Sequence, residues 1–468
     1  MIRDTVNIII ERGQGISISR QIYSRIRDQI LKGSLAPGTA LPATRYLAKQ
    51  LSVSRNAVIQ AYEQLHAEGF VNSRQGAYTR VSLDTFYGKY QGRTAPASVS
   101  AVPKPVYDIA FKTGVPDAGR FPGKLWGNYL KAASMALSDM SIAYDVPEGN
   151  LELRRVIADY LFRVKGIDVV PDHIVITSGA TQALSLLSSL LYEPGCSVLI
   201  EDPSSYGAIQ IFKHTGFGLD PVTVGFEQVI SSAPALDPAV KMIYTTPSHQ
   251  FPMGRIMPAA VRLGLLEIAA GSKTYIVEDD YDSEFRYEGA PVYPFKALAP
   301  DRVVYIGSFS KVLSPGLRVG YTVLPPSLIN RYKTLKRFSD AQSPMIEQAA
   351  LMNFIRDGEF ERHLYKMKRI YHQKRDLLIE ALTREFGDRI RVYGENAGLH
   401  MVVEFLDHSF ADQAQVIHNR VMVPSVDHHA IQKGIFTRQL VFGYGNLSLE
   451  EISQGITQLN GFKPAARS

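Results

Sequence analysis

Cysteine is all but missing from this 468-residue chain. Cys196 stands alone, which excludes an intrachain disulfide and a cysteine-based zinc cluster and fits a reducing cytoplasm. Long apolar runs are missing too. No stretch approaches the roughly 18 uninterrupted apolar residues of a membrane span. The start of the chain sets charges on both sides of a short run, Ile8-Ile9-Ile10, unlike a secretory leader. Charged residues amount to 21%, too few for a disordered chain or a coiled coil. No tandem repeat occurs, no metal site is expected, and the protein should be soluble and cytoplasmic.

What is present is an apolar share of 45%, enough for a large core, and a length that suggests two or three domains of about 150 residues. Charge is unevenly spread. Between Met1 and Tyr90 twelve Lys and Arg outnumber six Asp and Glu, so the formal net charge of +6 resides in this N-terminal fifth. A basic head suggests a polyanionic partner for it.

Within that head, apolar residues recur at helical spacing over 19–32 (Ile22, Ile26, Ile30), and Pro37-Gly38 breaks the pattern. A short helix over about 43–50 follows. Ser54 can cap a third helix over 55–68, which Gly69 ends. Residues 70–81 then form a small hairpin around Arg74-Gln75-Gly76-Ala77. Three helices, a tight turn and a hairpin predict a winged helix-turn-helix DNA-binding domain over residues 1–81. Its third helix would enter the major groove with Ser54, Arg55 and Asn56 at the reading end. Arg45 would clamp a phosphate, and Arg74, Gln75 and Gly76 would carry the wing into the adjacent groove. The run "LPATRYLAKQLSVSRNAVIQAYEQLHAEGFV" followed by "RQGAYTRV" resembles the reader domain of the GntR family over about residues 16–81. Ala43 stands where that family usually has serine, and the wing reads Gly-Ala-Tyr instead of Gly-Ser-Gly.

Residues 82–106, with Thr94-Ala95-Pro96-Ala97-Ser98 and Pro103-Lys104-Pro105, read as a linker. From 107 to 468 short β-branched runs alternate with helical patterns. Residues 174–177, 197–200, 242–244, 275–277 and 303–306 look like buried parallel strands of an α/β fold. A large lobe over about 107–340 would precede a smaller C-terminal lobe over about 341–468. That lobe holds long helices (346–356, 358–386) and strand-like runs (398–405, 439–442).

Several segments of this body carry chemistry. In "YIGSFSKVLSPGLRVGY" Lys311 follows a strand, flanked by Ser308, Ser310 and Arg318, two hydroxyls and a guanidinium that suit a phosphate. "YIVEDDYDSEF" sets Asp279 and Asp280 at the carboxyl end of a strand, the edge where α/β sheets bind ligands. "VITSGATQALSLL" is a strand, a glycine turn and a helix whose first N–H groups, at Ala180 and Thr181, suit a phosphate dianion. With "YDVPEGNLELRRVIADYL" upstream, the order of these segments is similar to that in fold-type I aminotransferases. The resemblance implies that Lys311 forms a Schiff base with pyridoxal 5'-phosphate, and that Asp279, or its neighbour Asp280, faces the pyridine nitrogen. Tyr281 would bond the ring hydroxyl. Ala180, Thr181, Ser308, Ser310 and Arg318 would hold the phosphate, and Tyr144 would reach the phosphate of a neighbouring subunit.

The chain also departs from that pattern. "EDPSSYGAIQIF" has Ser205 in place of the usual ring-stacking aromatic, with Tyr206 next door as a substitute. "TTPSHQFPMG" has Phe251 where catalytic transaminases carry asparagine, leaving His249 or Gln250 to supply the lost hydrogen bond. "FTRQLVFGYGNL" falls where an arginine grips a substrate carboxylate, so Arg438 is the candidate effector ligand, although Val441 aligns better. The order reader, linker, aminotransferase-like body resembles the MocR/GabR-type subfamily of GntR regulators. That resemblance implies a transcriptional regulator which binds double-stranded operator DNA as a head-to-tail, domain-swapped homodimer. Its effector, a small amine or pyridoxal phosphate itself, would act through the body. The rival is a functional pyridoxal-phosphate aminotransferase with an accessory DNA-binding head. A transamination half-reaction stays chemically available, but the departures argue against turnover.

Overall fold

The spacing of Ile22, Ile26 and Ile30 does what a 3.6-residue period requires: all three are buried on one face of α1 (Ile18–Leu31). Helix α2 (Thr44–Gln50) adds Leu47 and Ala48, and α3 (Arg55–Ala67) adds Val58, Ala61, Tyr62 and Leu65 to the same core. A two-stranded wing, β1 (Val71–Asn72) antiparallel to β2 (Arg80–Val81), closes it with Val71 and Val81. The Tyr62 hydroxyl donates to the Pro42 carbonyl at 2.8 Å, so the one polar tip in that core has a partner. Ser54 caps α3 by accepting from the Ala57 N–H at 3.2 Å, whereas Ala43 leaves α2 without a side-chain cap.

These elements belong to the first of two compact units, Met1–Lys104 and Pro105–Ser468. The computed structural model describes residues 6–12, 15–73, 78–82, 106–136, 146–232, 236–290, 292–411 and 413–461. The wing-tip residues Arg74, Gln75 and Gly76, most of the linker, and Tyr144 lie outside the described residues.

The body is built on a seven-stranded sheet in the order β4 (Ile174–Thr177), β10 (Gly320–Val323), β9 (Val303–Ser308), β8 (Tyr275–Asp280), β7 (Val240–Thr245), β5 (Ser197–Asp202), β6 (Gly218–Thr223). Strands β9 to β6 are mutually parallel. One expectation needs correction here: β4 does not join a parallel ladder. It bonds only to β10, which runs antiparallel to both β4 and β9. Two strands of this sheet went unread in the sequence. Strand β6 contains Pro221, which is tolerable because β6 is an edge strand. Strand β10 is only four residues long and follows directly on the Lys311 loop.

Two three-stranded sheets complete the body. One is β11 (Ile390–Tyr393), β12 (His400–Phe405) and β15 (Gln439–Gly443), all antiparallel. The other is β13 (Gln415–His418), β14 (Val421–Pro424) and β3 (Ile109–Ala110), so the first strand of the body pairs with C-terminal residues. The 28-residue helix Glu359–Phe386 packs its buried face, from Phe360 to Phe386, into the core these sheets share. Among the described residues no helix is long and apolar enough to cross a membrane.

Candidate functional site

The carboxyl ends of β4, β8 and β9 lie on one edge of the large sheet and gather the polar residues of the body. Gly320 pairs with Ser308 on one side and Thr177 on the other, so the ends of β9 and β4 stand two strand spacings, roughly 10 Å, apart. Into that gap Arg318 turns from a left-handed backbone position (φ +50°) and donates to the Ser178 carbonyl. The next helix, Ala180–Leu191, begins at Gly179 with no side-chain cap. Gly179 has φ +93°, a conformation costly for any other residue, and a Cβ there would sit 3.6 Å from both terminal nitrogens of Arg318. Ser308 Oγ donates to Ser310 Oγ at 2.9 Å and accepts from the Ser310 N–H at 3.1 Å. A guanidinium, two hydroxyls and an uncapped helix start thus gather at neighbouring strand ends, a donor set that fits a phosphate ester.

Lys311 stands beside it. Its Nζ donates to the Gly114 carbonyl. Burial pulls its ammonium below the ordinary lysine value, with Asp282 and Asp279 opposing. A larger neutral fraction makes the amine a better nucleophile.

The two carboxylates ending β8 part company, as consecutive strand residues must. Asp279 accepts from the Tyr244 hydroxyl at 2.8 Å and lies within electrostatic reach of Lys311. Burial raises it to about 6, against the lowering effects of Tyr244 and Lys311. Asp280 accepts from Lys165 Nζ at 3.0 Å, the Ser283 hydroxyl at 2.7 Å and the Tyr305 hydroxyl at 2.5 Å. Burial alone would raise Asp280, yet Lys165 and the two hydroxyls hold it below its ordinary value. Lys165 also pairs with Glu284 at 3.0 Å. Of the two candidates, Asp279 is the one turned toward Lys311, and Asp280 is committed to a buried ion-pair network.

The remaining candidates fall in different places. His249 meets Tyr281 and Asp282: its Nδ1 lies 3.0 Å from the Tyr281 hydroxyl and 3.1 Å from both Asp282 oxygens. Gln250 donates to the carbonyls of Pro203 (2.9 Å) and Phe251 (2.8 Å), which uses its amide to hold the turn. That removes Gln250 as a donor to a ring hydroxyl. Ser205 caps the helix Tyr206–Thr215, and the Tyr206 ring stacks on His428 with centroids 4.5 Å apart. Arg438 is exposed and donates to the Leu406 carbonyl at 3.2 Å. Strand register corrects its assignment as an effector ligand. His400 pairs with Gly443 and Glu404 with Gln439, so Arg438 stands at the opposite end of β12 and β15 from His400, roughly 16 Å along the strand. His400 is the end within electrostatic reach of Lys311.

Asp282, Tyr244, Lys165 and His400 went unnamed in the sequence. Asp282 stood in a quoted motif, but it lies in the turn after β8, where strand alternation no longer says which way a side chain points. Tyr244 reads as core, and Lys165 lies 115 residues from its partner Asp280 with no local signal.

In the N-terminal unit, Arg45, Arg55 and Asn56 are exposed at the starts of α2 and α3, with no ion pair or side-chain hydrogen bond described for any of them. This is how cationic and amide groups stand when they face solvent or a polyanion.

Comparison with known proteins covers both units. The gntR family of bacterial regulatory proteins matches residues 18–81, and aminotransferase class I and II matches residues 126–434. The chain is 31% identical to the probable rhizopine catabolism regulatory protein MocR of Rhizobium meliloti, over 97% of this chain and 95% of that one. It is 31% identical to the pyridoxine biosynthesis transcriptional regulator PdxR of Corynebacterium glutamicum, over 83% of each. Among solved structures, LysN, the α-aminoadipate aminotransferase of Thermus thermophilus, superposes with a TM-score of 0.67 at 26% identity, covering 75% of this chain and 91% of LysN.

Proposed function

The chain belongs to the MocR-type branch of the GntR transcriptional regulators, and from that premise we propose that its body holds pyridoxal phosphate on Lys311 to sense a small amine or the cofactor itself. The observation that carries this reading is the convergence of Arg318, Ser308, Ser310 and the uncapped helix start at Ala180 and Thr181 beside Lys311. When bound, the cofactor supplies an aldehyde that captures a primary amine and a ring that withdraws electrons. Lys311, held partly neutral by burial, is the anchoring amine. Asp279 would keep a proton on the ring nitrogen, because a buried carboxylate is stabilised by a cation facing it. Tyr206 is the residue that would lie against the ring, and Tyr281 the one that would bond its hydroxyl. An amine effector would change what Lys311 holds, and the reader domains of a head-to-tail homodimer would then shift between arrangements that span different half-site spacings. The protein works in the cytoplasm on operator DNA.

Transaminase turnover is the weaker reading. Arg438, the candidate for gripping a substrate carboxylate, stands at the far end of β15.

The test is the visible spectrum of purified protein with added pyridoxal phosphate, before and after borohydride, for wild type and Lys311→Ala. A yellow band that only the wild type shows, and that reduction makes permanent, is the expected result, with DNA affinity then changing on cofactor addition. No band in either protein removes the cofactor from the account.

A further inference from the structure

On the Asp280 side of β8, away from Lys311, the body holds a cavity of about 210 Å³. Its walls come from distant parts of the chain. Lys165 ends the helical run from Leu151, Ser248 lies in the turn after β7, and Glu284 and Arg286 follow β8. Lys368 comes from the helix Glu359–Phe386, and Ala397 precedes β12. A bridge between Arg286 and Ala397 ties the loop after β8 to the C-terminal sheet at this point.

The charges in these walls do not balance. Lys165 is committed, with Asp280 and Glu284 each 3.0 Å away. The same pairing neutralises Glu284, which also accepts from the Tyr160 hydroxyl at 3.3 Å. The next carboxylate along the loop, Glu288, pairs with Arg375 at 2.9 Å. Arg286 is left over. Among the described residues its side chain has no ion pair and no hydrogen bond, and its Nε is buried without a partner. Leaving such a group unbonded is costly. Its tip lies along the backbone of Gly289 (φ +78°), where a Cβ would come within 2.7 Å of Nη2. Lys368 is exposed and has no ion pair among the described residues. The residues three and four positions from it on its helix are Leu364, Tyr365, Tyr371 and His372, none of them acidic.

We propose that this cavity binds a small oxyanion, a phosphate or carboxylate group held between Arg286 and Lys368. The guanidinium offers a planar pair of N–H donors, the ammonium a mobile point charge, and Ser248 a hydroxyl. An anion there gives Arg286 the counter-charge that the chain itself commits elsewhere. It also joins the loop after β8 to the long helix, so occupancy stabilises the body by mass action. The site is separate from the phosphate donors beside Lys311, since Arg318 and the helix start at Ala180 gather at the ends of β9 and β4. The inference therefore stands apart from the pyridoxal phosphate reading.

Lys368 reports on the site directly, whatever Lys311 holds. Its acetylation by an N-hydroxysuccinimide ester is followed by peptide mass spectrometry as inorganic phosphate or succinate is added, with chloride matching the ionic strength. Lys366, exposed on the same helix but outside the cavity wall, is the internal control. Phosphate or succinate should slow the labelling of Lys368 saturably and leave Lys366 unchanged. The anion that acts at the lower concentration identifies the class of ligand. Arg286→Met should raise the concentration needed by about tenfold or more, because a charge-assisted hydrogen bond is lost. Arg286→Lys, which keeps the charge without the fork, should fall between the two. No saturable protection of Lys368 by either anion overturns the proposal, and that measurement needs no variant to fold. Equal protection of Lys366 overturns it too, as does protection that persists unchanged in Arg286→Met.

Discussion

The two units of this chain treat charge in opposite ways. In the N-terminal unit Arg45, Arg55 and Asn56 stand exposed, above a core of apolar side chains and one bonded tyrosine. In the body, Asp279, Asp280, Asp282, Lys165 and His249 are buried, and each is held by a named partner. An exposed charge costs the fold almost nothing, so its identity is free to answer to DNA. A buried charge is part of the fold itself, because leaving it unpaired is expensive. Stability and recognition should therefore come apart in the first unit and stay fused in the second.

The largest expected effect tests the second half of that contrast. Lys165→Met strips Asp280 and Glu284 of their cation and should cost about 3–5 kcal/mol of body stability, read from denaturant midpoints. A cost near zero would mean that the network is solvated and the contrast false.

Next comes Asp279. Its folded value, about 6, lies above the 3.8 of an unfolded aspartate, so between those values the cofactor-free fold holds a proton that the unfolded chain has lost. Its contribution to stability is therefore fully present below about pH 4 and is lost as pH rises through about 6. Asp279→Asn should remove that loss, gaining up to about 3 kcal/mol over wild type by pH 7.5 in the cofactor-free protein. Thermal denaturation of both proteins from pH 4 to pH 8 checks it. With cofactor bound the advantage should reverse, because the ring nitrogen loses its counter-charge.

Arg55→Ala should weaken operator binding by about 1–3 kcal/mol and relax base preference, while changing stability by no more than about 0.5 kcal/mol. Unfolding of the reader by this change would break the comparison from the other side. Smallest is Ser54→Ala. Ser54 is both cap and candidate base contact, so losing its bond to the Ala57 N–H should cost about 1 kcal/mol of reader stability. Among the described candidates of the reader it is the one where the two roles meet.

The same contrast explains what could be read from the sequence. The reader's helices and wing follow from local periodicity, Ser54 and Gly69, and the exposed candidates sit where the motif predicts. In the body, Lys311, Arg318 and the start of the helix at Ala180 were legible because each lies beside its strand in the sequence. The choice between Asp279 and Asp280 was not, since it depends on Lys165 and Tyr244, which arrive from other elements. His249 was identified, but its partner Asp282 was passed over. Arg438 was misplaced because the register of β12 against β15 cannot be read from either strand alone.

Strand β3 has a mechanical meaning. Just past the linker, the Asp108 carboxylate grips the Arg420 guanidinium through two hydrogen bonds of 2.5 Å, and the Asp108 N–H bonds the Arg420 carbonyl. Ile109 and Ala110 then lie along β14, and a bridge from Ser425 to Leu440 joins that sheet to β15 and so to β12, which carries His400. The tether is moored to the C-terminal sheets, not to the large one. Wherever those sheets stand, Asp108 stands with them, like a rope tied to the door instead of the frame.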